Sequence, residues 1–506
     1  MNPIDIGGRA LRRNTLINFA GHAGPFLIGI VLFPFIIQQL GAERFGLLSI
    51  AWIAPELFAF IDLGLGRATT KYAAEALAKG DDLGVSKIVW TVIPVQMMLG
   101  GIGTIIAISS TPFLTDKFLN ISAALRPEAN EMFHIIACSI PLVLVSTSMI
   151  GLLGAGQRFG SITAVSSTVY ATSIAMILVG LLFLSWTLAE IATLLVAARL
   201  LALVAYYRLC IHTFPSFKMP RFDLAHLPKL LTFGGWLTAS SVAVPALLYA
   251  DRFVIGATLN MAAVAYYSVP YEIATRLWIV PASVVPTVFP AFSMLATRRQ
   301  LHRLKLLVTE FTKWVNLVMG SAVLIGAAFA REILHSWVGP DFAREGTLAL
   351  QIIALGIFIN SMVQVQCALV QALGRPDVTA KLHLIQLPLH AVLVWWFVSR
   401  WGVTGAAMAQ AIRLGIEAML FWAATCRVTS LPFASLLSGK QIQGSLLLLL
   451  MICIAMAFSH LIREPWLRLI LIGMGSGAGG VAAWRYCLNR QERDKLIDFL
   501  RPLVAK

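Results

Sequence analysis

Residues 12–37, RRNTLINFAGHAGPFLIGIVLFPFII, set two arginines ahead of a long run that contains no Asp, Glu, Lys or further Arg. A bilayer core of roughly 30 Å takes about 20 apolar residues of α-helix, so Leu16 to Ile37 is long enough to span it. No small-residue cleavage site follows a short apolar core. The stretch therefore reads as an uncleaved first helix, with Arg12 and Arg13 held on the cytoplasmic side.

The rest of the chain repeats this pattern. Of 506 residues, 58% are hydrophobic and 12% charged, far more apolar than a soluble core requires. The same ruler finds helices near Leu16 to Ile37, Phe45 to Leu63, Ile88 to Ile108, Phe133 to Leu153, Ile162 to Leu184 and Leu188 to Tyr206. A second set follows at Leu230 to Ile255, Ala263 to Val285, Phe311 to Ala330, Leu348 to Leu369, Leu382 to Val398 and Val403 to Thr425. A final pair lies at Ser445 to Ser459 and Leu467 to Ala483. The expectation is an all-α polytopic membrane protein of about fourteen transmembrane helices. The six cysteines stand singly, without the spacing of a metal site or a disulfide framework.

The formal net charge of +15 raises nucleic acid as a partner, and its distribution answers the question. If the first helix starts in the cytoplasm, the even-numbered connections lie inside and collect most of the 39 Lys and Arg residues. The inner clusters are Arg67, Lys71 and Lys79; Lys218, Arg221 and Lys229; Arg298, Arg299, Arg303 and Lys305; and Arg490, Arg493 and Lys495. The positive-inside rule and anionic lipids at the cytoplasmic face account for the basic excess, which leaves no nucleic-acid role. Both termini are expected in the cytoplasm.

A weak internal repeat is also present. Ser49-Ile50-Ala51 after Leu40-Gly41 corresponds to Ser268-Val269-Pro270 after Leu259, about 219 residues later. Gly156-Gln157-Arg158 corresponds to Gly374-Arg375-Pro376, and Ala198-Arg199-Leu200 to Ile412-Arg413-Leu414, at nearly the same offset. Six helices separate the members of each pair, so the repeats insert in the same orientation as two six-helix lobes. The expected organisation is an N-lobe over residues 1–211, a cytoplasmic linker over 212–229, a C-lobe over 230–427, and helices thirteen and fourteen with a basic tail over 428–506.

Ionisable groups in hydrocarbon are costly and usually face a partner or an aqueous cavity. Arg276 lies roughly 21 Å along the eighth helix, with Glu272 one turn earlier on the same face. Arg413 and Glu417 repeat that spacing in the twelfth helix, Arg199 is deep in the sixth, and Glu56 is midway along the second, one residue from Arg276 in the repeat. Arginines at these depths suit an anionic headgroup, because guanidinium forks onto phosphate and keeps its charge. The alternative is that the Glu–Arg pairs only hold the bundle together. His22 in the first helix, and His383 with His390 on one face of the eleventh, are candidates for proton coupling or for plain hydrogen bonding. Asp62 and Arg67 at the inner end of the second helix are gate or membrane-edge candidates. Asp251 and Arg252, near the outer end of the seventh, are expected to snorkel to the surface. Prolines within helices, among them Pro25, Pro34, Pro55, Pro94, Pro141, Pro245, Pro281 and Pro286, allow bends.

The stretches Gln39-Leu40-Gly41-Ala42-Glu43-Arg44-Phe45-Gly46 and Asp62-Leu63-Gly64-Leu65-Gly66-Arg67-Ala68 resemble the polysaccharide-transporter branch of the multidrug/oligosaccharidyl-lipid/polysaccharide (MOP) superfamily. Asp251-Arg252-Phe253-Val254-Ile255-Gly256 and Gly402-Val403-Thr404-Gly405-Ala406-Ala407 extend the resemblance along the chain. It implies a MATE-like pair of lobes around a charged cavity, alternating access, and a polyprenyl-pyrophosphate-linked oligosaccharide as cargo in the bacterial inner membrane. O-antigen, capsule or exopolysaccharide synthesis would be the setting, with polysaccharide polymerase or assembly proteins as partners. Coupling to protons, sodium or membrane potential, with no cofactor, is part of that implication. Lipid II flippases carry arginines on the first, second and eighth helices, whereas here only Arg276 matches and His22 and Glu56 take the other places. A MATE-like drug or metabolite exporter is the alternative. A membrane glycosyltransferase or ligase would need outer loops bearing catalytic carboxylates or a metal, and Thr111 to Glu131 and Arg331 to Gly346 offer no such set.

Overall fold

The computed structural model describes residues 8–223, 227–297, 300–429 and 439–462, with a few isolated positions as far as Gly473. Among the described residues there is no strand. Thirteen of the fourteen expected crossings fall on described helices, and the fourteenth, Leu467 to Ala483, lies almost wholly outside them, as does the basic tail.

α1 (Gly8–Leu57) carries the first two crossings, and the corner between them is Gly41, at φ 75° and ψ 166°. Only glycine enters that region without strain. A Cβ on Gly46 would lie 1.9 Å from the carbonyl oxygen of Met261, so the second crossing approaches the start of α9 (Met261–Thr275) at backbone distance. The Gly41-to-Gly46 motif is thus a corner followed by a close contact.

The second crossing does not end at Leu63 as its apolar run suggests. It tightens into a 3-10 turn at Phe58–Asp62, passes through Leu63 (φ 51°) and Gly64 (φ 70°), and resumes as α2 (Leu65–Ala78). Asp62 secures the joint. Its carboxylate accepts the Gly66 N–H at 3.0 Å, the Gln96 amide of α3 (Asp82–Phe113), and the Thr147 hydroxyl of α5 (Ile140–Ala155) at 3.4 Å. One of the free donors at the start of α2 is thereby satisfied.

Prolines explain two further interruptions. Pro141 has no N–H to offer the carbonyl four residues earlier, at Ala137, and Pro281 none to offer Leu277. α4 (Arg126–Ala137) ends on the first, and a 3-10 turn at Arg276–Trp278 lies on the second, between α9 and α10 (Ile279–Thr297). The Thr104 hydroxyl of α3 donates to the freed Ala137 carbonyl at 3.0 Å. Neighbouring helices commonly re-satisfy such groups inside membranes. The sequence repeat has local counterparts here. Crossings two and eight are both interrupted by 3-10 turns, and left-handed residues, Gln157 (φ 57°) and Gly374 (φ 78°), precede crossings five and eleven.

The chain divides into two compact units. The first comprises Met1–Val269 with His383–Ala406, the second Pro270–Leu382 with Ala407–Lys506. In the first, α2, α3 and α5 close around Leu65, Val89, Met149 and Leu152. α6 (Phe159–Phe183) packs on α1, and α7 (Leu188–Thr213) on α4 and α5. The segment after α7 is docked on α3: Phe217 is buried, Trp90 donates to its carbonyl at 2.9 Å, and Lys87 meets Asp223 at 3.2 Å.

In the second unit α10, α13 (Pro340–Ser361) and α16 (Gly439–Leu461) pack on α11 (Leu301–Ala328). Helix thirteen, which the sequence presents as an appendage, is stitched in by buried polar contacts. Asn316 donates to Ser445 at 2.6 Å, Gln441 to the Thr309 carbonyl at 2.8 Å, and Gln351 to Ser459 at 2.7 Å. The outer connection read as a loop from Arg331 to Gly346 contains a short helix, α12 (Ala330–Val338). α14 (Val363–Ala372) follows α13, and α15 (Pro376–Thr429) carries crossings eleven and twelve and turns at Gly402, φ 56°.

Candidate functional site

In the first unit the 3-10 turn at Phe58 leaves Glu56 on the last turn of α1, with its side chain exposed. Tyr249 of α8 (Leu227–Thr258) donates to Glu56 Oε2 at 3.3 Å. Arg199 of α7 donates to the Ser139 hydroxyl in the α4–α5 break, and to the Trp52 carbonyl of α1 at 3.5 Å. Arg199 therefore pins three elements together, a use that suits a polar group at a helix contact in lipid.

Asp251 and Arg252 correct the expectation of surface snorkelling, since they are 0% and 3% exposed. The reason lies in the α8–α9 hairpin. Asp251 and Tyr267 stand equally far from its turn at Leu259, so the fully buried Tyr267 phenol donates to Asp251 Oδ2. His390 of α15, itself 0% exposed, brings Nε2 to 2.7 Å from Asp251 Oδ1. Arg252 lies over the Tyr249 ring, 5.5 Å from its centroid, a favourable cation–π arrangement. Protein groups have replaced the water that snorkelling would have sought.

In the second unit Glu272, on the last turn of α9, and Arg276, on the 3-10 turn, pair at 3.2 Å with side-chain exposures of 46% and 44%. Arg413 and Glu417 on α15 also pair, at 3.0 Å, and are buried, with Arg413 Nε donating to Gln410 at 3.1 Å. Equal spacing in sequence thus produces one open pair and one closed pair. Asp62 is committed to the α2 joint, Arg67 is exposed on α2, and the His22 side chain lies outside the described residues.

Sequence reasoning missed Tyr249 and Tyr267 as site residues and held His390, with His383 on one face of its helix, as a candidate for proton coupling or for plain hydrogen bonding. The symmetry of Asp251 and Tyr267 about Leu259 was the available signal for one of them. Nothing local points from α8 to α15. Among the described residues, no group of three or more His, Cys, Asp or Glu is arranged to hold a metal ion.

The profile of the family described as polysaccharide biosynthesis protein matches residues 11–296. The chain is 26% identical over 410 residues to a putative O-antigen transporter of Shigella flexneri, an alignment covering 81% of this chain and 96% of that protein. It is 22% identical over 411 residues to a probable low-salt glycan biosynthesis flippase of Haloferax volcanii, covering 79% of each. In fold it is similar to the lipid II flippase MurJ in an inward closed conformation, with a TM-score of 0.71 at 14% identity over 97% of this chain and 99% of that one. An inward-facing multidrug resistance MATE family transporter of the MOP superfamily gives a TM-score of 0.69 at 14% identity, over 83% and 95%. At such identities the structural likeness speaks for the fold alone.

Proposed function

The chain belongs to the polysaccharide biosynthesis protein family, and we propose that it flips a polyprenyl-pyrophosphate-linked oligosaccharide across the bacterial inner membrane by alternating access. The cargo class is that of surface polysaccharide synthesis: O-antigen, capsule or exopolysaccharide. The names of its relatives, an O-antigen transporter and a glycan biosynthesis flippase, support a transporter rather than an enzyme.

The observation that carries the reading is the state of Arg276. It sits one residue beyond the fifteen-residue helix α9, in an interrupted crossing, half exposed and paired with Glu272 at 3.2 Å. Guanidinium does not lose its charge in the membrane, and its fork of donors suits two oxygens of a pyrophosphate. Glu272 gives the cation a partner until an anion takes its place. The interrupted second and eighth crossings supply the bends that alternating access uses.

The test is genetic. Deleting the gene in its native host is expected to leave lipid-linked oligosaccharide on the cytoplasmic leaflet, with rescue by the wild type and not by a normally inserted Arg276→Ala. Absence of accumulation would turn the reading toward a drug or metabolite exporter. Full rescue by the variant would keep the flippase and reduce Arg276 to a structural ion pair.

A further inference from the structure

Near the start of α11 and of α16 a small cleft opens between the two helices. Thr312, Lys313, Asn316 and Leu317 line it from α11, Gln441, Gly444 and Ser445 from α16, and Met362 from the junction of α13 with α14. All of these residues belong to the second compact unit, and neither Glu272 nor Arg276 is among them.

The cleft lies at the edge of the bilayer. The apolar run of the ninth crossing begins at Phe311, so Lys313 is about 3 Å inside it. α16 is apolar enough to span from Gln441 onward. Before Lys313, α11 exposes His302 and Arg303; beyond the cleft, α11 exposes Val318, and α16 exposes Leu446, Leu447 and Leu450. Polar surface thus gives way to lipid-facing surface at this level. The basic connection ahead of α11 assigns that edge to the cytoplasm.

Two side chains give the cleft its chemistry. Among the described residues that line it, Lys313 carries charge and none is an acid. Its ammonium stands 5.4 Å from the centroid of the Trp314 ring. Asn316, 6% exposed, donates from Nδ2 to Ser445 Oγ at 2.6 Å, and Ser445 Oγ donates in turn to the Gln441 carbonyl at 2.9 Å. With its one proton directed there, the serine hydroxyl accepts from Asn316, which fixes the amide with Nδ2 toward α16. Asn316 Oδ1 is left buried without a hydrogen-bond partner. A buried acceptor in that state is costly, and the group that relieves it is a hydroxyl or an ammonium rather than an anion.

A cation beside an acceptor in need of a donor matches a phosphodiester that carries a hydroxyl. A bare phosphate would suit Lys313 and repel the Asn316 oxygen. A choline headgroup brings neither net negative charge nor a donor, and ethanolamine brings a donor without the charge.

We propose that this cleft binds one anionic phospholipid of the cytoplasmic leaflet, with the lipid phosphate on Lys313 and a headgroup hydroxyl donating to Asn316 Oδ1. The space between the walls takes about one water-sized group, which admits the hydroxyl and keeps the phosphate at the rim. The acyl chains run along the exposed leucines of α16, so the lipid joins α16 to α11. The site stands whatever cargo the chain carries.

The test uses the full-length chain purified in detergent. Affinity is read by native mass spectrometry and by the rise in unfolding temperature as lipid is added. Phosphatidylglycerol is the probe. Phosphatidylmethanol has the same charge without the hydroxyls and should bind about fivefold more weakly, the worth of one hydrogen bond. Phosphatidylcholine should bind more weakly still. Lys313→Gln should weaken phosphatidylglycerol by about tenfold, as loss of a charge-assisted bond does, whereas Lys313→Arg should retain it. Asn316→Leu should bind phosphatidylglycerol and phosphatidylmethanol alike. Leu317→Trp narrows the cleft with both polar groups in place, and should weaken phosphatidylglycerol even where a polar variant fails to fold. Equal binding of phosphatidylglycerol and phosphatidylmethanol by the wild type overturns the proposal, as does equal binding of phosphatidylcholine. Phosphatidylglycerol held undiminished by Lys313→Gln or by Leu317→Trp places the lipid elsewhere and overturns it too. Retention of a polyprenyl phosphate in preference to phosphatidylglycerol would make the cleft part of the cargo path, against the proposal.

Discussion

At the scale of the residue, burial decides what identical spacings mean. Glu272 with Arg276 and Arg413 with Glu417 are both four apart, a spacing that places each pair on one helix face. The sequence therefore disclosed both pairs, but only the fold left one open and closed the other. The closed pair is the stability element. Arg413→Ala takes the guanidinium from the buried Glu417 carboxylate, and losing one partner of a buried ion pair costs about 3–5 kcal/mol. Thermal unfolding of the purified protein in detergent should show the loss. Replacing both partners, Arg413→Leu with Glu417→Leu, should recover most of it, since a buried pair is often no better than well-packed apolar groups. Recovery absent in the double variant would mean that the pair itself, or its bond to Gln410, is needed.

At the scale of the element, backbone geometry accounts for the motif glycines. Gly64 adopts φ 70° at the joint between the second crossing and α2. A side chain there costs about 1–2 kcal/mol, so Gly64→Ala should lower the unfolding temperature without abolishing insertion. Gly46 is different in kind. Its virtual Cβ meets a backbone carbonyl at 1.9 Å, which no rotamer change relieves. Gly46→Val should yield little folded protein, and normal yield would mean that the second crossing can back away from α9. Pro141 and Pro281 were legible as bend makers, and their missing bonds predict where α4 ends and where the 3-10 turn at Arg276 falls. The break at Asp62 was not legible, because its cap draws on Gln96 and Thr147 from two other helices.

At the scale of the whole molecule, the charge distribution makes a topological prediction. In a cysteine-free background, Arg221→Cys, exposed after α7, should resist a membrane-impermeant maleimide until the membrane is opened. Arg344→Cys, exposed on α13 beyond the ninth crossing, should react while the membrane is intact. The reverse pattern would invert the topology. Helix thirteen makes a second prediction, because Asn316, Gln351 and Thr309 all contact it from within the second unit. A chain ending at Thr429 should be less stable than the full chain, since those buried groups lose their partners.

The sequence by itself determined the membrane class, the positions of the helices and the spacings that set Glu272 with Arg276 and Arg413 with Glu417 on one helix face. Each of these depends on properties carried locally: apolar length, charge placement, and spacings along one helix. Only the tertiary structure decided that Asp251 faces inward to Tyr267 and His390, that Arg199 pins Ser139, and that Arg276 stays open while Arg413 closes. In lipid an isolated helix has no preferred partner for a buried charge. Which groups neutralise one another is set when helices distant in sequence pack and leave no water to do it.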